Sequence, residues 1–233
     1  MIFELLFFLF CYILFLFCLF LFCKEDYYFI RKNISLDTIF DVSIGVVLVG
    51  ILFARIGYVI FHFTPGFLNP LVFFLIPYFP GLSIWGGIIG AILSTIILSR
   101  INSLPVFRIL DVFSLSFFVS LSFGLIISTV YMMVVKTPHF FWYYLLPILY
   151  IPFLMLITRF FLKGRIKDGS TSFLCILMFC VVSFAANLLT QTTRVIGPLG
   201  KEDGIFLVGI LIAFFLFLRN EKFFSKNRTT FRK

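Results

Sequence analysis

The stretch VSIGVVLVGILFARIGYVIFHF at positions 42–63 is mainly apolar and carries one arginine, Arg55, and one histidine, His62. A helix needs about 20 mainly apolar residues to cross the hydrocarbon core of a membrane, and this stretch has that length. Six other segments have the same character or fall slightly short of it. The seven predicted spans are about 2–23, 42–63, 82–98, 111–135, 140–158, 171–192 and 204–218.

The composition also indicates a membrane protein. Of the 233 residues, 62% are hydrophobic and 12% are charged, whereas a soluble domain has roughly 45–50% apolar and about 25% charged residues. This excludes a water-soluble enzyme, a disordered chain and a nucleic-acid-binding module. The sequence therefore predicts an all-α, polytopic integral membrane protein. Residues 1–219 are expected to form a single seven-span membrane domain, and residues 220–233 a basic cytoplasmic tail.

The distribution of Lys and Arg predicts the orientation, because cytoplasmic loops are enriched in these residues. The loops after spans one, three and five and the C-terminal tail together carry 15 Lys and Arg residues, and the opposite side carries 3. The N-terminus is thus predicted outside and the C-terminus in the cytoplasm, across a bacterial cytoplasmic membrane. The same asymmetry accounts for the net charge of +9. Membrane lipid is therefore an expected partner, and nucleic acid is not.

Two other segments need separate interpretation. The first span has no basic n-region and carries Glu4, so it is expected to be a retained span rather than a signal peptide. The stretch 66–80 contains three prolines, which disfavour a full helical span. It is expected to be a re-entrant or interfacial excursion.

The five cysteines all lie in apolar stretches, with no CxxC pair and no spacing typical of metal ligands. They are expected to be small buried hydrophobic residues. The sequence therefore predicts neither a disulfide framework nor a metal site, and it indicates no cofactor.

Polar residues inside spans are costly, and each is a functional candidate. At about 1.5 Å per residue, Arg55 lies roughly 20 Å along the second span, in its outer half. Tyr58 and His62 follow at i+3 and i+7 and share its helix face. The third span begins near the outer surface with Trp85, Gly86 and Gly87.

Three further polar residues, Asn187, Gln191 and Arg194, form one stripe rising towards the outer end of span six, and Gly124 in span four reaches a similar depth. Four helices thus bring unusual residues to the level of the outer leaflet. Arginine is suited to phosphate recognition there. The alternative is that the arginines reach lipid phosphates individually, the amides bond between helices, and the glycines only allow close packing.

Two carboxylates lie at the predicted cytoplasmic ends of spans. Asp41 and Asp111 stand where spans two and four begin. Because a carboxylate complements the N-terminus of a helix, both are expected to cap and orient their own helices.

Two motifs carry a resemblance to the bacterial prolipoprotein diacylglyceryl transferase family. ARIGYVIF (54–61) is similar to the family's ARxGYVxF, and GLSIWGGIIG (81–90) is similar to its GxSxHGGxxG. Weaker similarity covers Asp111 with Gly124 thirteen residues later, and NLLTQTTR (187–194), which stands where the family has RFxxExxR. The resemblance runs from about residue 32 to residue 219.

The resemblance implies a seven-span enzyme that moves diacylglyceryl from phosphatidylglycerol to the lipobox cysteine of a prolipoprotein. Several family residues are replaced, however. The family's motif histidine is Trp85, and its GRxGNFxNGE becomes GLIISTVYMM at 124–133. This replaces a signature arginine by Leu125. In span six, an arginine and a glutamate of the family become Asn187 and Gln191.

The transfer requires cationic stabilisation of the phosphate and removal of the thiol proton. Arg55 and Arg194 are candidates for the first task. His62 is the candidate for the second, unless it is only an interfacial histidine. Three interpretations therefore remain: an active but divergent transferase, a degenerate homologue that binds phospholipid or a partner protein, and a small transporter. The transporter is disfavoured because paired broken spans and midplane carboxylates are absent from the sequence pattern.

Overall fold

The computed structural model of the chain describes residues 2–63, 67, 73, 81–135, 140–162, 166–191 and 201–228. Every regular element in these ranges is a helix. The helices are α1 (Ile2–Glu25), α2 (Tyr27–Arg31), α3 (Leu36–Phe61), α4 (Ile84–Ile101), α5 (Val106–Val135), α6 (Phe140–Leu162), α7 (Ser170–Gln191) and α8 (Lys201–Arg228).

The predicted all-helical membrane architecture is confirmed for the described residues, and each predicted span overlaps one long helix. The main boundary differences are that α3 begins six residues and α5 five residues earlier than predicted, and that α8 continues to Arg228. Five helices are long and apolar enough to cross a membrane, namely α1, α3, α4, α5 and α8. In α6 and α7, the apolar stretches found among the described residues are shorter, at Tyr150–Leu162 and Ser170–Ala185. The predicted excursion at 66–80 lies outside the described residues except for Phe67 and Phe73.

The start of α3 corrects the expectation for Asp41. Ser35 is the N-cap, and its Oγ accepts a hydrogen bond from the backbone N–H of Thr38 at 3.4 Å. Asp37 lies in the first turn, where a carboxylate complements the helix dipole. Asp41 is exposed and lies one turn further along. It is therefore not a cap, because a serine that favours the N-cap position begins the helix earlier.

The chain forms two compact units. The first comprises Met1–Leu6 and Cys23–Leu110, and the second comprises Phe7–Phe22 and Asp111–Lys233. In the first unit, the side chains of Asp26 and Arg108 form a bidentate salt bridge. The Nε of Arg108 lies 2.7 Å from Oδ2 of Asp26, and its Nη2 lies 3.0 Å from Oδ1. Asp26 is also the N-cap of α2. This bridge joins residues 82 positions apart, and no sequence motif indicated it.

In the second unit, Asp111 caps a helix other than its own. Its carboxylate is fully buried and accepts hydrogen bonds from the backbone N–H groups of Gly169 at 2.6 Å and Ser172 at 2.7 Å. These groups lie at the N-terminus of α7, where backbone donors lack partners within the helix. The expectation that Asp111 caps its own helix was wrong, because α5 already begins at Val106.

Replacing Asp111 by alanine should lower the free energy of unfolding by about 2–6 kcal/mol, because two buried N–H groups lose their acceptor. The exposed Asp41 is the matched control, and Asp41→Ala should change the free energy by less than about 0.5 kcal/mol. Thermal unfolding of the purified proteins in the same detergent measures both. Equal losses in the two variants would contradict the assignment of the cap to Asp111.

Candidate functional site

The two motifs singled out in the sequence lie against each other in the first unit. A side chain at Gly86 would meet the backbone carbonyl oxygen of Phe53, and one at Gly90 would meet the Phe53 side chain. At Gly57, an added Cβ would lie 3.1 Å from the Ser83 Cβ. The absence of side chains therefore lets α3 and α4 approach closely, as small residues do in membrane helix pairs.

A direct hydrogen bond joins the same two motifs. The backbone N–H of Ser83 donates to the carbonyl of Ala54 at 2.9 Å. Ser83 is also the N-cap of α4, and its Oγ accepts from the N–H of Gly86 at 3.3 Å. The start of α4 is therefore fixed beside the last two turns of α3.

Arg55 is buried beside this contact, with 1% of its surface exposed. Its Nε donates to the carbonyl oxygen of Phe73 and its Nη1 to that of Gly81, each at 2.9 Å. The guanidinium carbon also lies 5.8 Å from the centre of the Tyr58 ring and 5.1 Å from that of Phe67. The cation is thus held by two backbone carbonyls and lies near two aromatic rings.

Tyr58 and His62 occupy the same side of α3 as Arg55, which confirms the predicted shared face. The rings of Tyr58 and His62 are stacked, with centroids 4.6 Å apart and planes 17° from parallel. His62 is the C-cap of α3, and its backbone N–H donates to the Tyr58 carbonyl at 2.9 Å. The imidazole is exposed, so it is accessible to a reactant at this end of the helix.

The other predicted residues near this end lie at the beginning of α4. Trp85 and Gly87 are half-buried. A Cβ at Gly87 would lie 3.5 Å from the Ala54 Cβ, an ordinary contact. Arg55, Tyr58, His62 and the Trp85–Gly87 segment therefore belong to one region, formed by the end of α3 and the start of α4.

The remaining predicted residues are not joined to this region by the described structure. Gly124 belongs to the second unit, where an added Cβ would lie 3.0 Å from the Cys11 Sγ and 3.4 Å from the Phe7 ring. Asn187 and Gln191 are in the last turns of α7, but their side chains lie outside the described residues, and so does Arg194.

The sequence interpretation missed Gly81, Phe67 and Phe73 as parts of this region. Gly81 has a φ of +153°, a conformation that glycine adopts without strain. The only signal for it was its position as the first residue of the GxSx motif. The partners of Arg55 at Phe73 and Gly81 are backbone carbonyls, and these carry no signature in sequence.

Within the described part of the chain, no group of three His, Cys, Asp or Glu side chains is arranged to hold a metal ion. The groups available at the α3–α4 region are a buried guanidinium, an accessible imidazole and aromatic rings. An imidazole can accept a proton near neutral pH. A guanidinium stabilises developing negative charge, most effectively where water is excluded.

Comparisons with known proteins agree with the two motifs. A family model described as prolipoprotein diacylglyceryl transferase matches residues 3–128, which is more than half of the chain. The chain is also similar to the phosphatidylglycerol–prolipoprotein diacylglyceryl transferase of Clostridium novyi (strain NT). The two are 29% identical over 229 residues, covering 86% of this chain and 85% of the relative.

Proposed function

The chain belongs to the prolipoprotein diacylglyceryl transferase family, and from this premise we propose that it transfers diacylglyceryl from phosphatidylglycerol to the lipobox cysteine of prolipoproteins. The single observation that carries the proposal is the family match over residues 3–128. This range includes both motifs that meet at the α3–α4 contact. The chain is that of a bacterial integral membrane protein, so a lipid substrate reaches it within its own membrane.

In the proposed reaction, the thiolate sulfur of the acceptor attacks the glyceryl carbon that carries the phosphate. A carbon–sulfur bond forms, the carbon–oxygen bond breaks, and glycerol phosphate leaves with the electron pair. His62 accepts the thiol proton. An imidazole can act as a general base, and this one is exposed at the end of α3, where a thiol can reach it. Arg55 supplies positive charge from beneath this surface, where its guanidinium is buried.

The other proposed contacts serve to bind the lipid. Tyr58 and Trp85 offer aromatic surface, and Gly86 and Gly87 allow the start of α4 to lie close against α3 beside it. Arg194 is proposed to contact the phosphate, with Gly124, Asn187 and Gln191 completing the substrate site. The family match extends across Gly124 but ends before α7, so the α7 contacts rest on the resemblance of 187–194 alone.

The proposal is tested by incubating the purified protein with phosphatidylglycerol vesicles and a lipobox peptide. The peptide mass should increase by one diacylglyceryl group. A peptide with serine in place of the lipobox cysteine, and vesicles of a zwitterionic phospholipid, serve as controls and should give no product. Retention of phosphatidylglycerol without transfer would contradict the proposal and favour the alternative of a degenerate, lipid-binding homologue.

We also propose that the chain crosses the bacterial cytoplasmic membrane seven times as a single domain, with its N-terminus outside and a basic tail from residue 220 inside. Three contacts within the units support this arrangement, since each joins segments with the same predicted side. Asp26 forms a salt bridge with Arg108, and the Asp111 carboxylate accepts a hydrogen bond from the start of α7. The Nζ of Lys167 lies 3.4 Å from Oε2 of Glu221. All of these segments are predicted to be cytoplasmic.

A reporter fused after Lys233 should be active only on the cytoplasmic side, because basic residues concentrate in the loops assigned to that side. A single cysteine placed in the 64–81 segment of a cysteine-free variant should react with a membrane-impermeant reagent added outside intact cells. A C-terminal reporter located outside would contradict both the orientation and the proposed position of the site in the outer leaflet.

A further inference from the structure

The ring of Tyr58 lies directly on the backbone of residue 81. A Cβ built at Gly81 would clash with the ring, since its three nearest neighbours are all Tyr58 ring atoms. Residue 81 also has a φ of +153°, a backbone conformation that residues other than glycine rarely adopt. Glycine is therefore required here for two separate reasons, and one of them is the position of the tyrosine ring.

Arg55 holds the same residue in place from inside the protein. Its Nη1 donates to the Gly81 carbonyl at 2.9 Å, and its Nε donates to the carbonyl of Phe73. The ring of Phe67 meets the Tyr58 ring edge-on, with centroids 6.3 Å apart. The tyrosine ring is thus surrounded by the Gly81 backbone, the Phe67 ring and the buried guanidinium.

The remaining neighbour of the ring is His62, stacked at 4.6 Å. His62 is exposed at the end of α3, and among the described residues this stack restrains the orientation of its imidazole. Solvent-exposed side chains otherwise exchange rotamers within nanoseconds. A ring fixed on its other sides therefore serves as a platform that selects one imidazole orientation.

From this geometry we infer that Gly81 and Arg55 are positioning residues: they hold the Tyr58 ring so that His62 is presented in one orientation to the reacting thiol. This inference rests on the proposed function only in its last step, the use of His62 as the proton acceptor. The stack of His62 on the fixed Tyr58 ring lies within the first unit, and it can be measured without any transfer activity.

The variant that tests it is Gly81→Ala, which displaces the Tyr58 ring. Gly204→Ala is the matched control, because nothing lies within 4 Å of a Cβ added at Gly204. His62 and His139 are the two histidines of the chain. The rate at which diethyl pyrocarbonate modifies His62, measured by mass spectrometry relative to His139, therefore reports the stack without any requirement for activity.

In Gly81→Ala, the relative modification rate of His62 should increase by about two- to tenfold, the range that one aromatic pair accounts for. In the transfer assay, kcat should fall by roughly 10- to 100-fold, the effect of a misplaced catalytic group, with KM changed much less. Gly204→Ala should change neither quantity. An unchanged His62 modification rate in folded Gly81→Ala would overturn the inference.

Two further variants keep the test decisive if Gly81→Ala does not fold. Tyr58→Leu removes the platform and should increase His62 modification as Gly81→Ala does, whereas Tyr58→Phe retains the ring and should leave the modification rate unchanged. An equal rate in Tyr58→Leu and Tyr58→Phe would overturn the inference. If the modification rates follow the expected pattern but no variant and no parent protein transfers diacylglyceryl, the platform stands and the proposed function fails.

Discussion

Replacing His62 by alanine should lower the rate of diacylglyceryl transfer by about 100- to 10,000-fold, the range associated with loss of a general base. The imidazole is exposed at the C-cap of α3 and stacked on Tyr58 at 4.6 Å. Among the described side chains of this region, its imidazole is the group assigned to accept the proton of the thiol. Initial rates with a lipobox peptide at saturating phosphatidylglycerol measure the effect.

The matched control for this variant is His139→Ala, which removes the other histidine of the chain. It should retain the parental rate. The two variants should also retain equal amounts of bound phosphatidylglycerol, because the imidazole is assigned to proton transfer rather than to lipid binding. Equal transfer rates in His62→Ala and the parent protein would show that the proton acceptor lies elsewhere.

Restoring the two missing family residues should produce the largest gain in rate. By the resemblance of 81–90 and 124–133 to the family's motifs, Trp85 replaces a histidine and Leu125 replaces an arginine. One preorganised cationic contact to a developing charge is worth roughly 100- to 1000-fold, and a proton carrier contributes at least about 100-fold. The parent protein is therefore expected to be much slower than a family member with the full signature.

The double variant Trp85→His, Leu125→Arg should transfer diacylglyceryl faster than the parent and faster than either single variant. The same peptide assay measures all four proteins, and circular dichroism with thermal unfolding checks that each is folded. Leu125 is half-buried in α5, so the matched variant Leu125→Met controls for repacking and should leave the rate near the parental value. No gain in the folded double variant would contradict the assignment of these two positions.

The features that followed from sequence are those that depend on local pattern. Long apolar runs specified the helices, because the membrane length requirement acts on contiguous residues. The spacing of Arg55, Tyr58 and His62 specified their shared face, because helical periodicity is fixed. The glycines at the start of α4 were interpreted, as one alternative, as allowing close packing, and the structure places Phe53 against Gly86 and Gly90.

The features that were missed depend on contacts between distant segments. Asp111 was expected to cap its own helix, but its partners are the backbone N–H groups of Gly169 and Ser172. The bridge between Asp26 and Arg108 spans 82 positions. The contacts of Arg55 with the backbone carbonyls of Phe73 and Gly81 were also not predicted. Backbone acceptors leave no mark in sequence, so only a three-dimensional structure identifies them.

The most direct test of the proposed transfer is the stoichiometry of its two products. The purified parent protein is incubated with phosphatidylglycerol and a lipobox peptide, and the released glycerol phosphate is quantified alongside the peptide thioether. Breaking the carbon–oxygen bond as the carbon–sulfur bond forms predicts equal molar amounts of the two products, both absent with the serine peptide. Thioether without glycerol phosphate, or bound phosphatidylglycerol with neither product, would contradict the proposed reaction.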